Sequence, residues 1–548
     1  MGRIKNMLDR HYHILFIAIP VLYFIIGAYF RYILGDLSIR SLDPDYVYFI
    51  TGLEISNGHF NVTHIDHPGT PLQLLMGLVY RITYLFRPGN NSFLEDVFAN
   101  PDLYMAVSNM AITGITTALL FYAGIKTFKK TKSVGYGLLI QCTPFLPVIW
   151  FDIIGRIYPE LMLPIPILLL ELLLVEILFG NDEISTNRNV WLLSAISALG
   201  LSVKLTFIPI WFIPLIILKD WKARLRFLLI TLILFLLFSI PVIFQLNKFT
   251  GWIKAIFVHS GQYGGGDSNF VNWHEFKAGL QFLWTYEHWF LLTAIAALLI
   301  SAVYFVLNGK KADKRLLVIT ISVLVAIVFQ TIMVCKHFGH RYYVPALLLS
   351  PLLVILISET TKRLLPNKLH GMIKAGIAVY LVTFFIHQQP WIKQKTEAMS
   401  ADMAQRIETW HFVSTLNANA IKIIATQNYG GPYKEYALMT SYAWAGRWQK
   451  EFKPALAKLY PNSYLFFTWD STVRFWGDAL TKKKIVESNK PIYLYLENDT
   501  PELFQKTIQH FPVLSDTLKA VPELLYKNEK TKEMVYKFNF STETQTTP

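Results

Sequence analysis

Charged residues are scarce in this chain of 548 residues: Asp, Glu, Lys and Arg make up 16% of it, against about 25% in soluble globular proteins. Hydrophobic residues make up 53% and aromatic residues 15%. This composition excludes a disordered chain, a fibrous repeat and an ordinary soluble enzyme. It predicts a protein that crosses a membrane several times and carries a soluble part.

Cysteine is nearly absent as well. Only Cys142 and Cys335 occur, each within an apolar stretch, so no disulfide framework is expected and a stapled secreted domain is excluded. The net charge of +14 by itself would suit a nucleic-acid partner. The basic residues, however, form short clusters between apolar segments, as they do in cytoplasmic loops of membrane proteins. We therefore predict that nucleic acid is not a partner.

Apolar segments long enough to cross a bilayer, which takes about 20 residues, recur along the first two thirds of the chain. They predict about eleven spans, at 14–34, 104–126, 134–151, 160–179, 190–204, 206–218, 227–245, 289–307, 315–335, 343–358 and 371–387. Basic loops alternate with long aromatic loops of lower charge, and the positive-inside rule assigns the basic ones and the N-terminus to the cytoplasm. Residues 35–103, 246–288 and 388–548 are then expected outside.

Residues 388–548 differ in character, because charges rise and apolar runs shorten. The segments IKIIAT, SYLFFTW, PIYLYLE and MVYKFNF predict strands, while PELFQKTIQHF and KEYALMTSYAWAG predict helices. Such alternation is typical of a small α/β domain. The predicted fold class is a polytopic α-helical membrane protein, residues 1–387, followed by an extracytoplasmic α/β domain, residues 388–548.

Two acids stand a few residues after the first span, in SLDPDYVYF. Asp43 and Asp45 are candidates for a general base or a metal ligand on the outer face, because an acid at a membrane boundary must be solvated or paired. The alternative is a pair of solvated acids in a turn around Pro44. The first outer loop continues with 70–86, which is apolar but interrupted by Arg81, and predicts a helix at the membrane interface.

The run HIDHPGTP precedes that helix. His64, Asp66 and His67 are close enough in sequence to bind a metal together, although their spacing is not that of a strong zinc pattern. The alternative is a loop that turns into a helix, with a His contacting a lipid phosphate.

FDIIGRIYPE lies at the outer end of the third and fourth predicted spans. Its Asp152, Arg156 and Glu160 predict either a structural ion pair between two helices or a second acid that faces the site.

Basic residues at two further outer boundaries are candidates for binding a phosphate head group. One is Lys204 in GLSVKLTF, and the other is the segment 336–345, KHFGHRYYVP, with His337, His340, Arg341 and Tyr342. The alternatives are a lysine that snorkels to the interface and an ordinary aromatic and basic belt. The Gly-rich stretch 259–273 lacks the ending of a P-loop and predicts either a lid or a mobile loop.

Together these segments resemble the C-type (GT-C) membrane glycosyltransferase superfamily, over roughly residues 10–345. They are most similar to bacterial enzymes related to protein mannosyltransferases and lipid A aminoarabinose transferases. Asp43, upstream of Gly58, stands where that superfamily has its catalytic Asp; Pro44 replaces the acid that usually follows, and Asp45 supplies one after it. Both acids are therefore candidates for the base.

Four other features carry the resemblance. Residues 67–71 read His-Pro-Gly-Thr-Pro where His-Pro-Pro is usual, and Glu160 matches the position of a second acid. Residues 200–204 resemble a Gly…Thr-Lys segment, with Val203 in place of Thr. Arg341-Tyr342 with Pro345 resembles an Arg-Tyr-x-x-Pro segment.

The resemblance implies an inverting glycosyltransferase, with residues 1–387 as the catalytic domain, in a bacterial inner membrane. It would move a sugar from a polyprenyl-phosphate donor to a lipid, glycan or protein acceptor on the outer face, among membrane lipids. The implied residues are the base, Asp43 or Asp45; the second acid, Glu160; the phosphate-binding Lys204, His337, His340, Arg341 and Tyr342; and the site-lining His67 and Arg156. A divalent cation (Mg²⁺, Mn²⁺ or Zn²⁺) on Asp43, Glu160 and His67 is also implied.

The C-terminal domain is expected to recognise the acceptor or to close over the site. Tyr429, Trp444, Trp448 and Trp469 are candidates for stacking on sugars, although for any single one of them a place in the core of a small domain is the favoured explanation.

Two other functions remain open. A transporter or lipid flippase predicts ionisable groups inside the membrane, and Glu171 and Glu176 in LLLELLLVEILF fit such a proton path. A non-catalytic scaffold that presents the outer domain leaves the acids and bases at the boundary unexplained.

Overall fold

The computed structural model of the protein describes residues 14–39, 43–181, 183–259, 265–266, 272–337, 339–426, 430–514 and 521–539. The Gly-rich stretch lies largely outside these residues, and Tyr429 lies outside them. The first α-helices are α1 Ala18–Leu34, α2 Asp45–Ser56, α3 Thr70–Leu85, α4 Phe93–Ala99, α5 Pro101–Thr131, α6 Val134–Gln141, α7 Trp150–Ile153, α8 Pro164–Leu178, α9 Asn187–Val203, α10 Ile208–Ile217 and α11 Trp221–Phe238. The others are α12 Ile240–Ile243, α13 Leu246–Val258, α14 Trp273–Asn308, α15 Lys314–Lys336, α16 Val344–Leu347, α17 Ser350–Leu364, α18 His370–Thr415, α19 Lys434–Trp444, α20 Gln449–Leu459, α21 Lys482–Ser488 and α22 Pro501–Gln509.

The chain forms two compact units. Unit 1 consists of Met1–Arg31, Ile65–Leu72 and Asn109–Lys395. Unit 2 consists of Tyr32–His64, Gln73–Ser108 and Thr396–Pro548. The division of function at residues 387 and 388, and the placement of 35–103 and 246–288 as outer loops, stay predictions.

Long apolar helices confirm the prediction of an integral membrane protein. Helices long and apolar enough to cross a bilayer are Pro101–Thr131, Pro159–Leu178, Trp273–Lys311, Lys314–Lys336, His340–Leu364 and Asn367–Thr415. Ala18–Leu34 and Leu205–Ile217 are shorter apolar helices. The number of eleven spans and the orientation of the termini stay predictions.

Packing within unit 1 separates inner helices from outer ones. Pro159–Leu178 and His340–Leu364 are largely buried inside the protein, whereas Trp273–Lys311 exposes much of its apolar surface. Helix α9 packs against α8 and α11, while α15 packs against α10 and α14. Exposed Leu, Ile and Val side chains on α14 and α15 suit contact with lipid, since hydrocarbon makes no demand for polar partners.

Unit 2 contains the predicted small sheet. The strands are β1 Ile421–Thr426, β2 Ser463–Phe467, β3 Thr472–Arg474, β4 Ile492–Leu496, β5 Val521–Lys527 and β6 Met534–Asn539. Their order is β3-β2-β1-β4-β6-β5; β1 is parallel to β2 and β4, and the remaining pairs are antiparallel. The four predicted strands and both predicted helices, α19 and α22, are present. The two unpredicted strands are both at edges, where β3 is short and β5 is exposed.

Candidate active site

A buried ion pair lies at the centre of the candidate site in unit 1. Lys204 Nζ donates to Glu160 Oε1, and the two side chains are 3% and 1% exposed. Glu160 belongs to the short 3₁₀ turn Pro159–Met162 that leads into α8. Two charges are rarely removed from water together unless they serve each other or a ligand, because each loses its hydration.

The end of α9 explains how Lys204 reaches that acid. Lys204 caps the helix with an extended backbone, so its side chain leaves the helical path. A Cβ at Gly200 would lie 2.5 Å from the ring of Phe207 in the following turn. Glycine is therefore needed for the close approach that turns the chain after Lys204.

Arg341 brings a second cation to the same carboxylate. Its Nε lies 3.6 Å from Glu160 Oε1, and its guanidinium carbon lies 4.9 Å from the centre of the Tyr158 ring. Lys204 Nζ lies 4.6 Å from the centre of the Tyr342 ring. Two cations thus face one carboxylate between two tyrosine rings, which leaves a net positive charge of the kind that binds an anion.

The turn His340–Tyr343 holds Arg341 and Tyr342 in place. Gln330 of α15 donates to the backbone carbonyl of Tyr342 at 2.8 Å. A Cβ at Gly339 would lie 2.6 Å from the Tyr342 ring, so the ring lies against a backbone that has no side chain.

The second carboxylate oxygen of Glu160 has no hydrogen bond within the part of the chain that the structure describes. Glu160 Oε2 is buried. An unsatisfied buried acceptor costs free energy, so such an atom is a marker for a ligand or an ordered water.

His67 and Arg156 lie at the margins of this group. The His67 ring centre is 5.1 Å from that of Trp252 and 6.4 Å from that of Tyr342. Arg156 lies 4.8 Å from the centre of the Tyr158 ring. The structure thus brings six predicted residues into one neighbourhood of unit 1: Glu160, Lys204, Arg341, Tyr342, His67 and Arg156.

The two histidines of the predicted phosphate site contact residues outside the Glu160–Lys204–Arg341 group. His337 is bonded through Nε2 to the carbonyl of Ile256 at 2.8 Å. His340 Nε2 lies 3.6 Å from the buried Glu287 carboxylate, with Phe282 against its ring. A role of His337 and His340 in phosphate binding stays a prediction.

The two candidate bases belong to unit 2. Asp43 is exposed in the turn before α2, while Asp45 begins that helix and is fully buried. A carboxylate in the first turn is favoured by the helix dipole. Both residues have interactions with the protein, and the choice between them as the base stays a prediction.

The aromatic residues proposed for sugar stacking differ in their surroundings. Trp448 stacks on His59 with ring centres 3.6 Å apart. Trp444 meets the ring of His64 edge-on, and Trp469 is 63% exposed.

The described residues contain no preformed set of metal ligands. Among the described residues, no three His, Cys, Asp or Glu side chains lie together as a metal site would require. Asp66 forms an ion pair with Lys248 at 3.7 Å, and Glu160 serves Lys204 and Arg341. A cation on Asp43, Glu160 and His67 stays a prediction, and no step proposed below depends on it.

The acids of the transporter hypothesis lie in unlike settings. Glu171 is buried and accepts from the Thr143 hydroxyl at 2.9 Å. Glu176 pairs with Arg188 at 3.0 Å and Lys126 at 3.6 Å. Glu176 therefore has the partners of a structural surface acid rather than those of a buried proton carrier.

A groove of about 980 Å³ runs between α14 and α15. Its lining is apolar except near one end, where Lys277, Gln281 and Thr331 lie. The Thr331 and Tyr343 hydroxyls are 2.8 Å apart, and Tyr343 follows Tyr342 directly. The polar end of the groove is therefore joined to the turn that carries Arg341.

Two residues of the neighbourhood were not predicted. Tyr158 lies between Arg156 and Glu160 in the sequence, and its aromatic ring between charges was a usable signal. Trp252, which contacts His67, stands in α13, and its sequence surroundings contain no feature that would single it out.

No protein-family model and no curated protein sequence matches this chain. The solved structures that are similar to it include two of ArnT from Cupriavidus metallidurans, one bound to undecaprenyl phosphate and one in the apo state. Each is 10% identical and covers 96% of this chain and 98% of its own, with TM-scores of 0.47 and 0.46.

Proposed function

We propose that the chain is a membrane glycosyltransferase that takes a sugar from a polyprenyl-phosphate donor. The observation that carries this proposal is the buried carboxylate of Glu160 between the cations Lys204 and Arg341, next to an apolar groove. A phosphate needs cations, and a polyprenyl tail needs an apolar path. A donor with both parts matches both features.

The two cations would act on the leaving group. When the bond between the anomeric carbon and the phosphate oxygen breaks, the electron pair stays on the phosphate. Lys204 and Arg341 stabilise that charge, and the effect of Lys204 is strong because its side chain is almost wholly withdrawn from water. Glu160 holds Lys204 in place before the donor arrives, which lowers the cost of organising the site.

The acceptor hydroxyl would attack the anomeric carbon from the opposite side. Asp43 or Asp45 would take its proton as the new bond forms, the role of a general base. A single displacement of this kind inverts the anomeric carbon. The acceptor is a lipid, a glycan or a protein.

The groove between α14 and α15 would hold the donor's tail. Its apolar walls suit prenyl units, and its polar end at Thr331 leads toward Tyr342 and Arg341. We place this site at the outer face of a bacterial inner membrane, with the N-terminus in the cytoplasm, because basic residues are concentrated in the alternate loops.

A transfer assay with a matched control tests the proposal. Purified protein is incubated with a panel of radiolabelled polyprenyl-phosphate sugars and membrane acceptors, next to Glu160→Gln and Glu359→Gln. Glu359 is also a buried acid in an ion-pair group, with Lys362 and Arg363, but it is not in the candidate site. We expect transfer to be lost in Glu160→Gln and kept in Glu359→Gln.

Two results would count against the enzyme. If wild type consumes none of the donors, or if both variants lose or keep activity to the same degree, the site assignment fails. In an active wild type, replacement of Asp43 and Asp45 by Asn, one at a time, tests separately which of the two acids is the base.

A further inference from the structure

Unit 2 contains a cleft of about 290 Å³ that the proposed transfer reaction does not use. Its walls come from the end of α18 at Trp410, the first residues of β1 and β4, and the start of α19. Asp36 and Asp102 complete the lining. Its volume is at the lower end of the range for small-molecule sites.

Carboxylates dominate the polar lining. Asp102 accepts from the backbone N–H of Leu37 at 2.8 Å, from the Ser38 hydroxyl at 3.4 Å and from the Tyr46 hydroxyl at 3.5 Å. Asp36 is exposed, and the structure shows no hydrogen bond or ion pair of its carboxylate with any described residue. A carboxylate can accept several hydrogen bonds, so Asp36 offers acceptors to a ligand rich in hydroxyl or amino groups, while Asp102 adds negative charge to the lining.

The cations of the lining are largely satisfied by the protein. Lys422 pairs with Glu435 at 2.7 Å, and Lys434 donates to the carbonyl of Ala99 at 2.9 Å. The three carboxylates, Asp36, Asp102 and Glu435, outnumber these two lysines. The cleft therefore disfavours an anion, unlike the Glu160–Lys204–Arg341 group.

Aromatic rings provide the flat surfaces. Trp410 and Tyr493 are half-buried in the lining, so part of each ring is accessible, whereas Tyr433 is buried behind them. Rings with an apolar face and a polar edge combine well with acceptor groups in small-molecule sites.

We propose that this cleft binds a carbohydrate unit, neutral or amino-bearing, whose ring packs on Trp410 and Tyr493 and whose hydroxyl or amino groups donate to Asp36, next to the negative charge of Asp102. The site is a binding site distinct from the phosphate-binding group of unit 1, and it forms no covalent bond. It gives unit 2 a way to hold a glycan whether or not the chain transfers sugars.

Binding of simple sugars to the full chain tests this inference. The protein is purified in lauryldimethylamine oxide, since a detergent with a sugar head group would compete. Saturation-transfer NMR then measures the binding of glucose, N-acetylglucosamine, glucosamine and glucuronate. We expect saturable binding of the first three and weaker binding of glucuronate.

Matched variants locate the binding. Trp410→Ala should weaken affinity about tenfold, because it removes one ring surface. Asp36→Asn should weaken the binding of glucosamine more than that of glucose, because it removes the negative charge that attracts the amino group. Trp469→Ala, an exposed Trp of unit 2 outside the cleft, should leave affinity unchanged. Thermal unfolding of each variant checks that it is folded.

The inference is overturned if folded wild type binds none of the sugars, if glucuronate binds best, or if Trp410→Ala and Asp36→Asn bind as Trp469→Ala does. Lys204→Gln separates the two proposals, because it should abolish transfer and leave sugar binding in the cleft unchanged. If the wild-type protein transfers no sugar, the result of the binding experiment still stands.

Discussion

Lys204 and Glu160 form an ion pair in which both side chains are almost wholly withdrawn from water. The lysine stands at the end of one helix and the acid at the start of another, 44 residues apart in the chain. Each charge depends on the other, because either one alone would be buried without compensation.

Replacing only the lysine should therefore lower the stability of the folded protein. In Lys204→Gln, Glu160 loses its closest counter-charge, and we expect stability to fall by about 3–5 kcal/mol and transfer to be lost. The double variant Glu160→Gln/Lys204→Gln should regain most of the stability without regaining transfer. Thermal unfolding in detergent and the transfer assay measure the two effects. Full stability of Lys204→Gln alone would contradict the prediction.

Arg341 should affect donor affinity more than folding, because its side chain is one quarter exposed. We expect Arg341→Ala to raise the donor KM about 10- to 100-fold, as the loss of a charge-assisted contact would. Arg341→Lys should lie between Ala and wild type. Arg363→Ala, which breaks the ion pairs to Glu359 and Asp313, is the control and should leave KM unchanged. An equal rise in both variants would remove Arg341 from the donor site.

Gly200 should be intolerant of a side chain. A Cβ there would collide with the Phe207 ring. We therefore expect Gly200→Ala to lower the stability of the protein by about 1–3 kcal/mol and to reduce transfer by moving Lys204. Gly114 in α5 has no atom within 4 Å of its Cβ position, and Gly114→Ala should be neutral or slightly stabilising. Phe207→Leu in the Gly200→Ala background should recover part of the loss. Thermal unfolding of the three variants is the measurement.

Glu54 should make unit 2 less stable as pH rises. The backbone N–H and the hydroxyl of Thr63 both donate to the Glu54 carboxyl group at 2.9 Å. Burial raises the pKa of Glu54 from 4.5 to about 8. The folded state thus keeps a proton that the unfolded chain releases, and stability should fall between about pH 4.5 and 8, on the order of a few kcal/mol in total.

Glu54→Gln provides the neutral form at every pH. We expect its thermal unfolding to lose most of this pH dependence, with the largest gain over wild type near pH 8. Glu487→Gln, which changes an exposed carboxylate, should behave as wild type does. Parallel pH curves for wild type and Glu54→Gln would contradict the assignment.

The groove between α14 and α15 should select for donor length. Ala294→Phe fills the groove, so we expect it to reduce transfer from long polyprenyl-phosphate donors and to spare donors with a short prenyl chain. Val303→Phe, the control, introduces the same side chain on the same helix at a half-exposed position outside the groove. The ratio of kcat/KM for long and short donors is the measurement. An unchanged ratio in Ala294→Phe would exclude the groove as the tail site.

Individual residues show which parts of the candidate site and the fold could be predicted from the sequence. Lys204, Arg341 and Tyr342 were proposed with His337 and His340 as a phosphate site, and Glu160 as the second acid. Their charges at segment ends were visible without the structure. That a single carboxylate oxygen serves both cations was not visible. Tyr158, an aromatic residue between Arg156 and Glu160, was visible but was not predicted. The edge strand β5 was missed because its exposed side chains lack the apolar run that marks a buried strand.

By itself the sequence determined the membrane class and the buried strands, because apolar length and apolar runs are local properties that each segment carries alone. The tertiary structure decided which charges meet and which oxygen of Glu160 is left without a described partner. It also decided that Asp36 and Asp102 share a cleft with Trp410. Such meetings depend on how distant segments pack, and packing is set by shape and space across the whole fold rather than by any one segment.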